Sequence, residues 1–576
     1  MIIQEHMRPE HPRPQLERDA WLNLNGEWAF EIDHGDTGRA RGLVEGPLSQ
    51  RINVPFCPES RLSGVGYTDF MAAVWYRRTF TLPENWAGER VFLHFGAVDY
   101  TCEAWVDGVS VGVHRGGYSS FSFEITCALQ NNDTHTVTVC AQDDTRSGQQ
   151  PAGKQSNRYD SYGCSYTRTT GIWQTVWLEC RPQAHIAGMK MIPDPENKRV
   201  HIRCKVDMGT ALPWGTVQAA ATYEGKPMGS AEAQLSGDTA VIVLDVAEVY
   251  LWEVGAGRLY DLELAFGKDR VHSYFGLRTV NIAGEAIHIN HKPVFQRLVL
   301  DQGFNPDGVI TAPSDDELRM DIQRSLDCGF NGARLHQKVF EERFLYWADR
   351  MGYLVWGEMA NWGLDISTPQ GLTRFLPEWL ECVARDFNHP SLVGWCPFNE
   401  TQRNQNPEVL RQTYMVTKAM DPTRPVIDTS GWLHTITDIY DIHDYDQDPD
   451  SFTRKYGPGV DFDQFHEPFP GQKHKGEPFF VSEYGGIWWN PQEAENSDAW
   501  GYGGKESRPR TPVEFLERFE GLTRALLMNP HVCALCYTQL TDVEQEVNGL
   551  YTYGREAKFD NKILKGILGK KAAIEE

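Results

Sequence analysis

From Trp21 to about Arg181 the chain repeats short stretches in which apolar and polar residues alternate: EWAFEID, WYRRTFTL, RVFLHFG, CEAWVDG, HTVTVCAQD and TVWLEC. A period of two puts one set of side chains on a buried face and the next in solvent, the pattern of strands in a half-covered sheet. The Asp-Gly pair in VDGVSVG suits the positive φ angles of a tight hairpin turn. These features predict a jelly-roll β-sandwich over residues 1–181. The polar stretch DDTRSGQQPAGKQSNRYDSYG breaks the rhythm and is expected to be a long surface loop, a length uncommon unless it is functional. Strands continue over 182–280 (RVHIRCKVDMG, TVQAAATYEG, TAVIVLDV, LYDLELAFG), and that span suits an immunoglobulin-like sandwich.

After 281 the pattern changes to apolar strand followed by amphipathic helix. Strands are expected at 297–302, 330–336, 352–358, 391–400, 425–432, 437–445, 479–485 and 534–542. Helices fill most gaps: SDDELRMDIQRSLDCG carries acids at its start and Gly at its end, and TPVEFLERFEGLTRALLMN has Pro in its first turn. Eight such units predict a TIM barrel over 281–576. The whole is a multidomain chain: two β-sandwiches, then a (β/α)8 barrel.

A barrel makes the strand ends informative, because its active site is built at their C-terminal rim. The expected ends carry Asp301-Gln302, Arg334, His336, Glu358, Asn399-Glu400, Asp444-Tyr445, Glu483-Tyr484 and Asp542. Glu400 ends the fourth strand and Glu483 the seventh, so they face each other across the mouth. Cleaving a glycosidic bond needs one carboxyl to protonate the leaving oxygen and an ionised one to attack or stabilise the oxocarbenium-like centre. Asn399 stands next to the acid and is placed to donate to a sugar 2-hydroxyl. A lone glutamate at a strand end is most often a solvated loop residue; two on facing strands, each amid other polar rim groups, are the stronger signal.

Composition narrows the partners. Of 576 residues, 41% are hydrophobic and 23% charged, an ordinary globular balance. The formal charge of −24 argues against nucleic acid or an anionic membrane as partner. No run reaches the roughly 18 apolar residues of a membrane span, and the N-terminus shows no apolar signal core, so a cytoplasmic location is expected. The twelve cysteines lie mostly within strands and read as buried thiols; one Cys-x-x-Cys, Cys533 to Cys536, is too little for a zinc site. Neither a cofactor nor a metal is expected.

The chain resembles glycoside hydrolase family 2, which includes β-galactosidases and β-glucuronidases. The matching segments run from about 8 to 560 in family order: WLNLNGEWAFEID, VPFCPES, VWYRRTF, RGGYSSF, TRTTGIWQTVWLE, YFGLRTV, GFNGARLHQ, GYLVWGE, DFNHPSLVGWCPFNE and VSEYGG. The resemblance implies a retaining mechanism with Glu400 as acid/base and Glu483 as nucleophile. It places Arg334 and His336 in the pocket of the cleaved sugar, and His443 and Tyr445 beside the nucleophile. Glu358 is expected as a hydrogen-bond partner of these groups. A homo-oligomer is a common state in this family, and a small oligosaccharide or glycoside is the implied substrate.

The sugar is where the chain departs from the family. Its β-glucuronidases hold the uronate with an Asn-x-Lys motif, but here Asn548 is followed by Gly549 and Leu550. Lys338, Arg555 and Lys558 are the cations left to bind a carboxylate in another way. LVLDQGFNPDG also differs from the usual family sequence at that point, so Asp301 and Asp307 are expected to contact sugar hydroxyls. Trp488, Trp489, Trp500 and Tyr502, in a loop after Glu483, are placed to stack on sugar faces. The absence of longer barrel extensions suits an exo-acting enzyme. A galacto-configured sugar is the first expectation (β-galactosidase or β-galacturonidase), with β-glucuronidase as the alternative. A non-catalytic carbohydrate-binding protein is the alternative of another class; it would have shed one carboxylate, and both are present.

Overall fold

Alternation builds the two sandwiches. In the strand Arg199–Asp207, Val200, Ile202, Cys204 and Val206 are buried while Arg203 and Lys205 face solvent. The computed structural model describes residues 7–210, 214–401, 403–460, 472–490 and 498–576. Its N-terminal part packs a six-stranded antiparallel sheet against a four-stranded one whose centre is Val176–Arg181 paired with Arg90–Phe95. Between them lies a core that includes Trp28, Phe30, Tyr76, Leu93, Val137 and Leu178. Sheets of three and four strands follow, with their own core from Ile186 to Leu277. Arg18 ties the two sandwiches together, reaching Glu179 at 2.6 Å and Asp269 at 2.8 Å.

The C-terminal part is a curled parallel sheet with helices outside it. Its strands are β1 (Gln296–Asp301), β2 (Gly332–Leu335), β3 (Leu354–Glu358), β4 (Leu392–Cys396), β5 (Tyr440–Asp444), β6 (Phe479–Gly485) and β7 (Val532–Thr538), in the order β4-β3-β2-β1-β7-β6-β5. They are almost wholly buried, as strands covered on both faces must be. Ser314 caps the helix Asp315–Cys328 by accepting from Glu317 N, and Gly329 closes it in the left-handed conformation. Cys533 and Cys536 are buried free thiols of β7. Among the described residues no helix is long and apolar enough to cross a membrane.

Two expectations need correction. Segment 425–432 is not a continuous strand. It closes the barrel through isolated parallel bridges, Trp395 to Val426 and Asn399 to Ser430. On the β5 side, polar side chains replace the ladder: Asp441 accepts from Ser430 Oγ at 2.6 Å and from Gly431 N at 2.9 Å. The second correction is the polar loop at 143–163, where residues 151–156 are buried rather than on the surface. Ala152 N donates to Trp362 O at 2.7 Å, and Gly153 N reaches Trp362 O and Ala360 O. The loop's backbone polar groups find partners on the barrel mouth instead of in water.

His434 locks segment 425–432 to β5, with Nδ1 2.7 Å from Asp428 and Nε2 3.3 Å from Asp441. Burial opposes its charge, but the two carboxylates prevail and lift its pKa to about 9. A folded-state value above the unfolded 6.5 stabilises fully below pH 6.5 and is lost as pH rises through 9. His434→Gln should therefore cost about 3 kcal/mol at pH 6 and much less at pH 9.5. Denaturant unfolding at both pH values checks this; equal losses would refute it.

Candidate active site

Pro397 cannot donate to the strand ladder, so β4 stops at Cys396 and Asn399-Glu400 stand clear of it at the rim. Glu400 has φ +42°, a left-handed backbone that non-glycine residues adopt rarely and mostly at functional sites. Its N–H donates to Ser430 O at 3.0 Å, which fixes the turn. Glu483 lies inside β6, nearly fully buried.

One arginine and one histidine join the two carboxylates to their surroundings. Arg334, with no exposed surface, lies one residue before the end of β2 and spreads its guanidinium over four acceptors. These are Glu358 at 2.6 Å, Ser482 O at 2.8 Å, Asn399 Oδ1 at 2.9 Å and Glu483 Oε1 at 3.2 Å. His443 stands between the glutamates: Nδ1 is 2.6 Å from Glu400 Oε1 and Nε2 is 3.4 Å from Glu483 Oε1. Tyr445 donates its hydroxyl to Glu483 Oε2, and Tyr502 stacks flat on the Tyr445 ring at 3.4 Å. His336 Nδ1 lies 3.0 Å from Glu358 Oε1.

The electrostatics follow from these contacts. Burial would raise the Glu358 carboxyl, but Arg334 and His336 overcome it and hold its pKa at about 2. Burial likewise opposes the charge on Glu400, and the His443 hydrogen bond and charge outweigh it, bringing that carboxyl to about 2. His443 is raised against its own burial by Glu483 and Glu400. Both shifts favour a proton on the imidazole over one on Glu400. Ligand atoms of Glu400, His443 and Glu483 all lie within 4.8 Å of one another. That spacing would suit a divalent ion, and a shared imidazolium proton satisfies the same atoms.

Asn399 is fixed by its backbone: its N–H donates to Asn361 Oδ1 at 2.9 Å and its carbonyl accepts from Trp362 Nε1 at 3.0 Å. Its side-chain Nδ2 is buried without a partner among the described residues. A buried donor left open is costly unless a ligand fills it. Beside it, a cavity of about 600 Å³ is walled by Thr145, Gln155 and Tyr162 on the sandwich side and by Trp362, Glu400 and Asn404 on the barrel side.

Other expected residues are placed elsewhere. Lys338 donates to the Gly303 and Ile310 carbonyls at 2.7 Å and sits over Phe340, so its charge is spent inside the rim. Asp301 accepts from Gly303 N at 2.9 Å, and burial together with Asp321 pushes it to about 6. Asp307 pairs with Arg61 at 2.6 Å on the surface. Trp488 is buried near Lys505 and Arg508, and Trp489 packs on Phe515 and Phe559. Parts of the loops around β6, at 461–471 and 491–497, lie outside the described residues. Sequence reasoning missed Asn361 and Trp362, which hold the Asn399 backbone.

A barrel whose strand ends join two carboxylates through a buried arginine and histidine is the arrangement of a glycoside hydrolase. The chain belongs to glycoside hydrolase family 2: the family's sugar binding domain matches residues 22–178 and its TIM barrel domain matches 280–494. It is 25% identical over 450 residues to a β-glucuronidase of Paenibacillus borealis, spanning 72% of this chain and 74% of that one. In fold it is similar to a β-glucuronidase of an uncultured Clostridium sp., with TM-score 0.79, 20% identity and coverage of 96% and 99%. It is also similar to a β-galacturonidase of Eisenbergiella tayi, with TM-score 0.73, 18% identity and coverage of 98% of each chain.

Proposed function

We propose that this glycosidase is a retaining exo-β-glycosidase that removes terminal β-linked hexuronic acids. The observation that carries the mechanism is the spacing of Glu400 and Glu483, whose oxygens approach within 4.8 Å. Carboxyls about 5–5.5 Å apart act by double displacement, whereas inversion needs about 6.5–9.5 Å to admit water between them and the sugar. Glu483, held by Arg334 and Tyr445, attacks the anomeric carbon and forms a glycosyl-enzyme. The leaving oxygen takes the proton of the Glu400–His443 pair through Glu400. Esterification of Glu483 then removes one of the charges that raised His443, and Glu400 accepts the proton of the incoming water. The open Asn399 Nδ2 donates to the sugar 2-hydroxyl.

A pocket of this size at the mouth suits one terminal sugar with a small aglycone. The names of the relatives, mostly β-glucuronidases with a β-galacturonidase among the fold neighbours, move the weight from galactosides to uronides. Nitrophenyl β-glucuronide, β-galacturonide, β-galactoside, β-glucoside and β-mannoside, assayed side by side, decide the sugar. One of the two uronides is expected to be turned over at least about 10-fold faster in kcat/KM than every neutral sugar, since a matched ionic contact is worth 1.5–3 kcal/mol. NMR of the first product should show the β-anomer. Preference for a neutral sugar would overturn the uronide reading, and an α-anomer the retaining one.

A further inference from the structure

The uronide reading leaves a physical problem at the mouth of the site. Glu400, Glu483 and Glu546 already crowd it, and a further carboxylate would be repelled unless a cation met it. The three cations expected from the sequence do not answer. Lys338 is spent on two carbonyls. Arg555 holds Phe304 O and Asp321, and Lys558 holds Asp542 at 2.6 Å. At the place of the family's lysine motif, Asn548 is fully buried and bonded to Gln539 and Glu546.

Lys154, carried by the N-terminal sandwich, is different. It is 7% exposed, and its ammonium stands 4.1 Å over the ring of Trp362, the residue that also holds the Asn399 carbonyl. No hydrogen bond or ion pair within 4 Å engages its ammonium among the described residues. Its backbone, by contrast, is pinned on both sides. Tyr166 N donates to Lys154 O at 2.7 Å, and Gly153 N donates to Ala360 O and Trp362 O. Gly153 has φ +59°, and a Cβ there would lie 2.4 Å from Gln337 O, so glycine alone allows the loop to seat this close. Burial opposes the charge, yet the acidic groups around it, Glu546, Glu483 and Glu400 among them, hold the amine's pKa above its ordinary value. A buried ammonium held in place by its backbone, with its own donors unspent, is a prepared anion contact.

Resting on the uronide reading above, we infer that Lys154 receives the substrate's C6 carboxylate, so that the N-terminal sandwich supplies a specificity residue across the domain boundary. Trp362 then serves as the apolar face that keeps the ammonium aimed inward. The long loop exists to deliver one charge to the barrel mouth.

The test compares Lys154→Met, which keeps length without charge, and Lys154→Arg, on paired uronide and neutral nitrophenyl glycosides of the same C4 configuration. For Lys154→Met the ratio of kcat/KM on uronide to that on neutral sugar should fall about 10- to 100-fold, mostly through KM, and Lys154→Arg should recover part of it. An equal fall on both substrates would overturn the proposal and assign Lys154 to the catalytic carboxylates or the fold. An unchanged ratio in an enzyme that hydrolyses uronides would overturn it while the uronide reading stands. A wild type that hydrolyses only neutral sugars defeats both. Gly153→Ala, which unseats the loop, should shift the ratio in the same direction as Lys154→Met; no shift would count against delivery by the loop.

Discussion

Glu483→Gln is expected to lower kcat by about 10⁴-fold or more on every glycoside, because a neutral amide cannot form the glycosyl-enzyme. The side chain keeps its shape, and Arg334 retains Glu358, Ser482 O and Asn399 as acceptors, so the variant should fold with an unchanged circular dichroism spectrum. Glu483→Gly in the presence of azide carries the argument further. Azide fits the space vacated by the carboxylate and attacks from the same face, so turnover should return with release of the α-glycosyl azide. Substantial hydrolysis by Glu483→Gln, or a β-azide, would remove Glu483 from the role of nucleophile.

Glu400→Gln should behave differently from one leaving group to another. General acid catalysis is worth about 10²–10⁴-fold, and it is needed least when the leaving oxygen is already a weak base. The variant's kcat/KM should drop by that amount on alkyl glycosides, and far less on a dinitrophenyl glycoside. Loss of base assistance in the second step should let the glycosyl-enzyme accumulate, visible as a burst of dinitrophenol. The pH profile offers a second readout. Wild-type kcat/KM needs the proton held by the Glu400–His443 pair, so it should fall as pH rises through the His443 pKa, which lies above the ordinary 6.5 because burial is overridden by Glu483 and Glu400. In Glu400→Gln that alkaline limb should be lost. A limb that persists unchanged, with equal losses on both leaving groups, would show that Glu400 does not donate the proton.

Much of this was legible in the chain because burial imposes a period. Alternating strands such as Arg199–Asp207, continuous apolar runs such as Leu392–Cys396 and the capped helix Asp315–Cys328 follow from which faces meet water. The polarity break at Asn399-Glu400 marked the barrel rim for a related reason: Pro397 ends the apolar run of β4 and the polar pair follows it. The segment 425–432 misled because PVID begins as a buried strand would. Asp428, Ser430 and Asp441 then bind backbone and one another, competing with the ladder.

By itself, then, the sequence determined the class of each layer and which residues stand near strand ends, Glu400 and Glu483 among them, all consequences of local pattern. Only the tertiary structure decided which polar groups share the site. Arg334 joins Glu358, Asn399 and Glu483 from four strand ends far apart in the chain, and His443 sits between the two glutamates. It also decided which of the expected cations are spent, and it left the Lys154 ammonium without a hydrogen bond or ion pair among the described residues. Lys338 looked available beside the RLHQ motif, yet two carbonyls consume it; Lys154, in a loop that read as solvent-exposed, reaches the barrel mouth. The reason is physical: a charge is silenced or freed by partners that chain folding brings within about 3 Å, and no period in the sequence encodes that distance.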